Sequence, residues 1–248
     1  MDPAAYLERL DCAAPEQADA PALRRLHLAH LQRVPFENLD IHLKQPIRLE
    51  LPHLYDKIVR RQRGGFCYEL NGLFAWLLAE LGYEVDLLSA RVYGPQGPGP
   101  EFDHLTLRVR ADGDWLADVG FGDSFLEPLP LEPGLEVVQR GTSYRLSQAG
   151  NQWTLHRQPP GDEWTPQYLF TLRPYQLEDF APVCHFHQTD PASPFTRKRV
   201  CTRATPEGRL TLSEDRLIST AGPTRREHPV ASEEERTTLL REHFGVVL

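Results

Sequence analysis

Long apolar runs are missing from this chain, and none approaches the ~18 residues that a membrane-spanning helix requires. The opening Met1-Asp2-Pro3-Ala4-Ala5-Tyr6 has neither the charged nor the apolar region of a signal peptide. A cytoplasmic location is the expectation. A surplus of positive charge is missing too: 27 Lys and Arg stand against 35 Asp and Glu, a formal net charge of −8. This argues against nucleic acid and anionic membranes as general partners. Cysteine is scarce, and positions 12, 67, 184 and 201 show no regular spacing. In a reducing compartment Cys12, Cys184 and Cys201 are therefore read as ordinary thiols. Cys184-His185-Phe186-His187 and the pair His27 and His30 lack a matching second cluster at zinc spacing, so no metal is expected. The two histidines lie three apart on a helix from about Ala22 to Arg33 and are read as one helix face, packing or meeting solvent. No internal repeat and no glycine loop of the nucleotide-binding type occurs.

What is present divides into three stretches, within a chain whose 40% hydrophobic content can bury a sizeable core. Residues 1–82 read as helical: Asp2 and Pro3 cap and open a helix over Ala4 to Leu10, and Pro21 opens the next. Residues 83–190 change to short alternating runs broken by glycine and proline, including Val85 to Tyr93, Thr142 to Leu146 and Gln152 to Arg157, which suit an antiparallel sheet or barrel. Gly94-Pro95-Gln96-Gly97-Pro98-Gly99-Pro100 is a loop by its turn residues. Residues 191–248 hold a hairpin over Thr202 to Leu212 and a helix over Ser232 to Phe244, with Ser232 and Glu235 in capping-box positions.

The richest segment is Arg63-Gly64-Gly65-Phe66-Cys67-Tyr68-Glu69-Leu70-Asn71-Gly72-Leu73-Phe74. Leu70, Leu73, Phe74, Leu77, Leu78 and Leu81 repeat at helical spacing and Gly82 stops the run, so a helix begins at or near Cys67. A thiol there faces the positive end of the helix dipole with Arg63 nearby, conditions that lower a cysteine pKa. The competing reading is a cysteine buried as a small hydrophobe.

A base and its orienter are then sought in the hairpin Asp103-His104-Leu105-Thr106 to Asp118-Val119-Gly120-Phe121, with its turn at Asp112-Gly113. Register decides the matter. A two-residue loop sets Asp118 opposite Leu107 and puts His104 and Asp118 on opposite faces. A three-residue loop, with Gly113 left-handed and a bulge, pairs Arg110 with Asp114 and sets Asp118 opposite Thr106. His104 and Asp118 then share a face, about 7–8 Å apart at Cα. The second register is predicted. Taken singly, Asp118 is equally a turn ligand and His104 an ordinary strand-edge histidine; together with Cys67 they supply nucleophile, base and orienter for acyl transfer.

The chain resembles the arylamine N-acetyltransferases. The stretches that carry the likeness are Tyr6 to Leu10, Leu26 to His30, Val34-Pro35-Phe36-Glu37-Asn38-Leu39-Asp40, Arg63 to Phe74, His104-Leu105, Asp118 to Gly122 and Pro191 to Phe195. The resemblance implies an α+β fold with an N-terminal helical bundle, a central antiparallel β-barrel or sheet, a C-terminal α/β lid and a papain-like Cys-His-Asp core. It implies Cys67, His104 and Asp118 as the triad, acetyl coenzyme A as co-substrate with no permanently bound cofactor, and an aromatic amine or hydrazine as acceptor. A thiolate–imidazolium pair and ping-pong transfer through acetyl-Cys67 follow, in a monomer or homodimer. A relative using a longer acyl donor, or a papain- or transglutaminase-like thiol hydrolase, would use the same triad.

Around the triad, Arg63, Phe36, Glu37 and Asn38 are read as holding the loops at the thiol, and Phe121, Gly122 and Phe125 as parts of an acceptor pocket. Arg197, Lys198 and Arg199, with Arg203, form the compact basic cluster late in the chain, open either to coenzyme phosphates or to solvent. Two residues depart from the family pattern, Asp103 before the base and Tyr68 after the cysteine. The chain also ends at Leu248, sooner than relatives that continue into a further helix.

Overall fold

Asp2 Oδ1 accepts from Ala4 N at 2.9 Å and Asp19 Oδ1 from Ala22 N at 2.8 Å. A proline follows each cap in the first turn, where its missing N–H has no partner to lose. In the computed structural model, which describes residues 1–248, these caps open α1 (Pro3–Leu10) and α2 (Ala20–Arg33). There follow a two-residue strand β1 (Phe36–Glu37), the short helices α3 (Leu39–His42) and α4 (Leu51–Tyr55), a π-helical turn over Asp56–Arg60, and α5 (Cys67–Glu80). Helix α5 is central. Leu70, Leu73, Phe74, Leu77 and Leu78 all have zero exposure, and the helix is wedged between α1 and α4 on one side and the sheet on the other.

The central sheet is built from β2 (Glu84–Gly94), β3 (Gly97–Pro98), β4 (His104–Ala111), β5 (Gly113–Ala117), β6 (Leu129–Pro130), β7 (Glu136–Gln139), β8 (Thr142–Ala149), β9 (Gln152–Gln158) and β10 (Thr165–Tyr175). Its order is β6-β5-β4-β2-β10-β9-β8-β7, with β3 paired to the end of β2, and it curls into a nearly closed barrel. Leu88, Leu116, Phe125, Tyr168 and Phe170 fill its interior. Strand β10 was not legible in the sequence: Pro166 and Pro174 break its pattern, and both lie beside register shifts where a proline is tolerated.

After a 3₁₀ turn over Leu177–Phe180 come α6 (Ala181–Thr189), α7 (Pro194–Arg197), β11 (Cys201–Ala204), β12 (Gly208–Leu212), β13 (Arg216–Ala221), β14 (Thr224–Pro229) and α8 (Glu233–Phe244). These four strands form a meander whose free edge is completed by β1 from the opposite end of the chain, Phe36 pairing with Thr202. Leu239, Leu240 and Phe244 of α8 cover it. The capping box at Ser232 is half made. Ser232 Oγ accepts from Glu235 N at 3.2 Å, but the Glu235 carboxylate turns instead to Ala231 N and to His228 of β14.

The β4–β5 hairpin has the required register. Arg110 pairs with Asp114 and Leu107 with Ala117, Gly113 has φ of +125°, and Asp118 follows opposite Thr106. His104 and Asp118 emerge on one face, the face covered by α5.

Candidate active site

Cys67 is the first residue of α5 and is 3% exposed. Two close approaches fix it there. The loop before it lies along β1, Glu37 N donating to Gly65 O at 2.8 Å, so tightly that a Cβ on Gly64 would sit 2.0 Å from Pro35 O. Glu69 Oε2 accepts from Phe66 N, closing the helix start from within.

On the facing strands, His104 Nε2 meets Asp118 Oδ2 at 2.7 Å, both side chains being almost wholly buried. Asp118 accepts from four groups: His104 Nε2 and Tyr168 OH on Oδ2, Asn71 Nδ2 and Gly120 N on Oδ1. Burial works against its ionisation, but the histidine, the asparagine amide and the backbone N–H outweigh burial and hold the carboxyl below its ordinary range. Asp118 takes Nε2, so Nδ1 is the ring nitrogen left for the thiol. Gly120 passes directly over the helix start: a Cβ there would lie 2.7 Å from both Cys67 Cα and Asn71 Nδ2.

Three residues of this network escaped sequence reasoning. Asn71 also donates to Leu105 O at 2.6 Å and accepts from Val119 N, tying helix to sheet. Its signal was available: it stands one helical turn after Cys67, a buried polar residue among leucines. His27 accepts from Asp118 N at 3.0 Å through Nε2 while Nδ1 donates to Leu126 O, and burial lowers its pKa to about 4. His27 and His30 both have zero exposure, so their helix face packs inward. Tyr168 reaches Asp118 from β10, the strand the sequence concealed.

Arg63 holds the loop before the thiol through two carboxylates, in keeping with the loop-holding reading. Its guanidinium binds Glu37 Oε1 at 3.0 Å and Asp40 Oδ1 at 2.8 Å, and Lys57 continues the buried chain from Asp40 to Glu69. The cation therefore braces the loop and does not face the thiol. Burial accordingly pushes the Cys67 thiol well up from the ordinary cysteine range; a backbone hydrogen bond at Leu105 opposes this, and the Asp118 and Asp103 charges add to it. Asn38 ties the first stretch to the last, donating to Phe195 O and Lys198 O and accepting from Val200 N.

Cys67 and His104 open into one cleft of about 900 Å³, walled by Phe36, Phe121, Phe186 and Phe195 and lipped by the Gly94–Pro100 loop. Phe121 stands edge-on to the His104 ring, and Gly122 approaches Phe36. Phe125 is not in the cleft: it is 1% exposed inside the barrel, stacked on His27. The late basic cluster is not there either. Arg199 is paired with Glu214 and Glu233, Arg197 caps the carbonyls of Pro191 and Ala192, Arg203 binds those of His243 and Gln32, and Lys198 does not line the cleft. A second cavity, of about 600 Å³, lies on the other side of β1 and the Gly122–Asp123 loop. Arg140, Arg157, Arg209 and Arg225 line it; Arg157 and Arg209 pair with Asp123, and Arg225 pairs with Glu227.

A thiol at a helix start facing an oriented histidine is the arrangement of cysteine acyl-transfer enzymes. A family model described as N-acetyltransferase matches residues 19–248. An arylamine N-acetyltransferase of Mycolicibacterium smegmatis is 38% identical over 220 residues, covering 86% of this chain and 80% of that protein. The solved arylamine N-acetyltransferase of Salmonella typhimurium superposes with a TM-score of 0.93 at 33% identity, over 98% of this chain and 90% of its own. That of Mycobacterium marinum in complex with CoA gives 0.91 at 32%, over 99% and 93%. The chain belongs to the arylamine N-acetyltransferase family. No helix in it is long and apolar enough to cross a membrane.

Proposed function

We propose that this protein transfers the acetyl group of acetyl coenzyme A to an arylamine or arylhydrazine through an acetyl-Cys67 intermediate. The observation that carries the reading is the 2.7 Å contact of His104 with Asp118 on the cleft that Cys67 opens into. Asp118 keeps the Nε2 proton in place, and Nδ1 accepts the Cys67 proton as sulfur attacks the thioester carbonyl. The tetrahedral oxyanion is met by the Cys67 backbone N–H at the α5 start. It collapses by breaking the bond to the coenzyme's sulfur, which leaves with the proton from His104. The amine then attacks acetyl-Cys67, Nδ1 takes its proton, and the proton returns to the Cys67 sulfur as the amide departs.

Aromatic amines are neutral nucleophiles at pH 7, which matches a histidine base. The phosphates of the coenzyme need cations that the thiol cleft lacks, and we assign them to the neighbouring arginine cavity, Arg157 and Arg209 first, in place of Arg197, Lys198 and Arg199. The reaction is read as cytoplasmic, in a monomer or homodimer. Mass spectrometry of the intact protein tests the proposal. Acetyl coenzyme A should add one acetyl group, absent in Cys67→Ala and discharged by an arylamine; no adduct would overturn the acetyl donor and favour a longer acyl chain or hydrolysis.

A further inference from the structure

The loop that follows the triad aspartate borders both cavities. Phe121 walls the thiol cleft, and Asp123, two residues on, lies in the arginine cavity. Gly122 between them has φ of +86°, a left-handed residue that turns the chain from one to the other. Asp123 is the one carboxylate among the residues that line the arginine cavity. Its Oδ1 accepts from Arg209 Nε of β12 at 2.9 Å and its Oδ2 from Arg157 Nη2 of β9 at 3.2 Å. A single anion thus joins a barrel strand to a strand of the C-terminal meander.

The cations and the anion are held differently. The Arg209 side chain is 14% exposed and that of Arg157 25%, whereas that of Asp123 is 57% exposed. Arg209 also donates to Thr202 Oγ1 at 3.1 Å. Each guanidinium gives the carboxylate one N–H, not the two of a bidentate pair. The guanidiniums are therefore set into the cavity by their strands, and the carboxylate reaches them from the solvent side on a loop. Ser124, Thr142 and Thr220 line the same space with hydroxyls, groups that can donate to phosphate oxygens.

A phosphate drawn to Arg157 and Arg209 meets an anion already there, and the two repel at contact distance. Ping-pong transfer gives that repulsion a use. Donor and acceptor both react at Cys67, so the spent coenzyme must leave before the amine arrives, and phosphate contacts that bind every state equally do not speed the chemistry. We propose that Asp123 is a positioning residue that competes with the coenzyme's phosphates for Arg157 and Arg209, setting coenzyme affinity below what the two arginines alone would give. This rests on the acetyl-transfer reading and on the placing of the phosphates in this cavity.

The test is the Kd of coenzyme A, measured by titration calorimetry at several salt concentrations for native protein, Asp123→Asn, Asp123→Ser and Asp123→Glu. The two neutral variants should bind coenzyme A about fivefold more tightly at low salt, the effect of one charge removed at contact distance in water. Their affinity should also fall more steeply with salt, because the phosphates then face the arginines without an opposing charge. Asp123→Glu, which keeps the charge, should stay near the native value. In steady-state kinetics the neutral variants should be inhibited more strongly by free coenzyme A when the amine is varied. A carboxylate that only orders the arginines predicts the reverse, and unchanged or weaker binding in both neutral variants would overturn the competing role. Native coenzyme affinity in Arg157→Ala and Arg209→Ala would instead overturn the placing of the phosphates. Failure of native protein to form acetyl-Cys67 would overturn the acetyl-transfer reading, so the three failures are separable.

Discussion

Two histidine–aspartate pairs border the same cleft, and they are built to opposite rules. His104 and Asp118 meet at 2.7 Å, and the carboxylate also accepts from Asn71, Tyr168 and Gly120. His187 and Asp103 stand at 3.3 Å, within ion-pair distance. A pair that must hold one proton in one place for every turnover needs its geometry over-determined. The same two residue types therefore stand in one wall as a tightly held pair and in the other as a looser one, and what separates them is how many neighbours they are given.

Breaking the tight pair should have the largest effect. Asp118→Asn keeps the shape but removes the charge and presents an amide to Nε2, and should lower kcat on the order of 10³-fold or more without unfolding the chain, as steady-state kinetics and circular dichroism would show. Arg157→Ala and Arg209→Ala should raise the acetyl coenzyme A KM about tenfold each, whereas Arg199→Ala, which loses only exposed ion pairs with Glu214 and Glu233, should leave KM unchanged and alter stability by less than about 1 kcal/mol.

Gly120→Ala presses a methyl against Cys67 Cα and Asn71, and should cost about 1–3 kcal/mol in urea unfolding while misplacing the thiol.

Acid sharpens the comparison from below. His27 supports the tight pair by accepting from Asp118 N, and its folded pKa of about 4 lies below the unfolded value of about 6.5. The unfolded chain therefore binds the extra proton first. Stability is full above about pH 6.5 and should fall by up to about 1.4 kcal/mol per pH unit down to pH 4. His27→Gln should flatten this limb of a pH series of unfolding midpoints; an unchanged slope would assign it elsewhere. Asp118, with its carboxyl held low, should contribute a further loss only at more acid pH, as it is protonated.

Local patterns made much of this legible. The periodicity from Leu70 to Leu78 located α5, Asp2 with Pro3 located α1, and Pro21 located α2. Asp112-Gly113 located the β4–β5 turn but left two registers open, and the choice matters because a strand's side chains alternate with period two and one residue of loop length moves them all. Phe125 was misread, and the late cluster with Arg199 was left open, for a shared reason. Each has the residue type its expected role needs, but a side chain's partners come from elements distant in sequence: the barrel interior claims Phe125, and Glu214 and Glu233 claim Arg199. Strand β10, broken by prolines, took Tyr168 out of view with it.

By itself, then, the sequence determined the helix that starts at Cys67, the β4–β5 hairpin and, through its motifs, the family, since these rest on short-range geometry that the chain carries wherever it folds. Only the tertiary structure decided which register the β4–β5 hairpin takes, that Cys67 lies buried, and that Asn71, His27 and Tyr168 close around Asp118. Those properties depend on burial and on which distant groups arrive within hydrogen-bond reach, and neither is written in the spacing of residues along the chain.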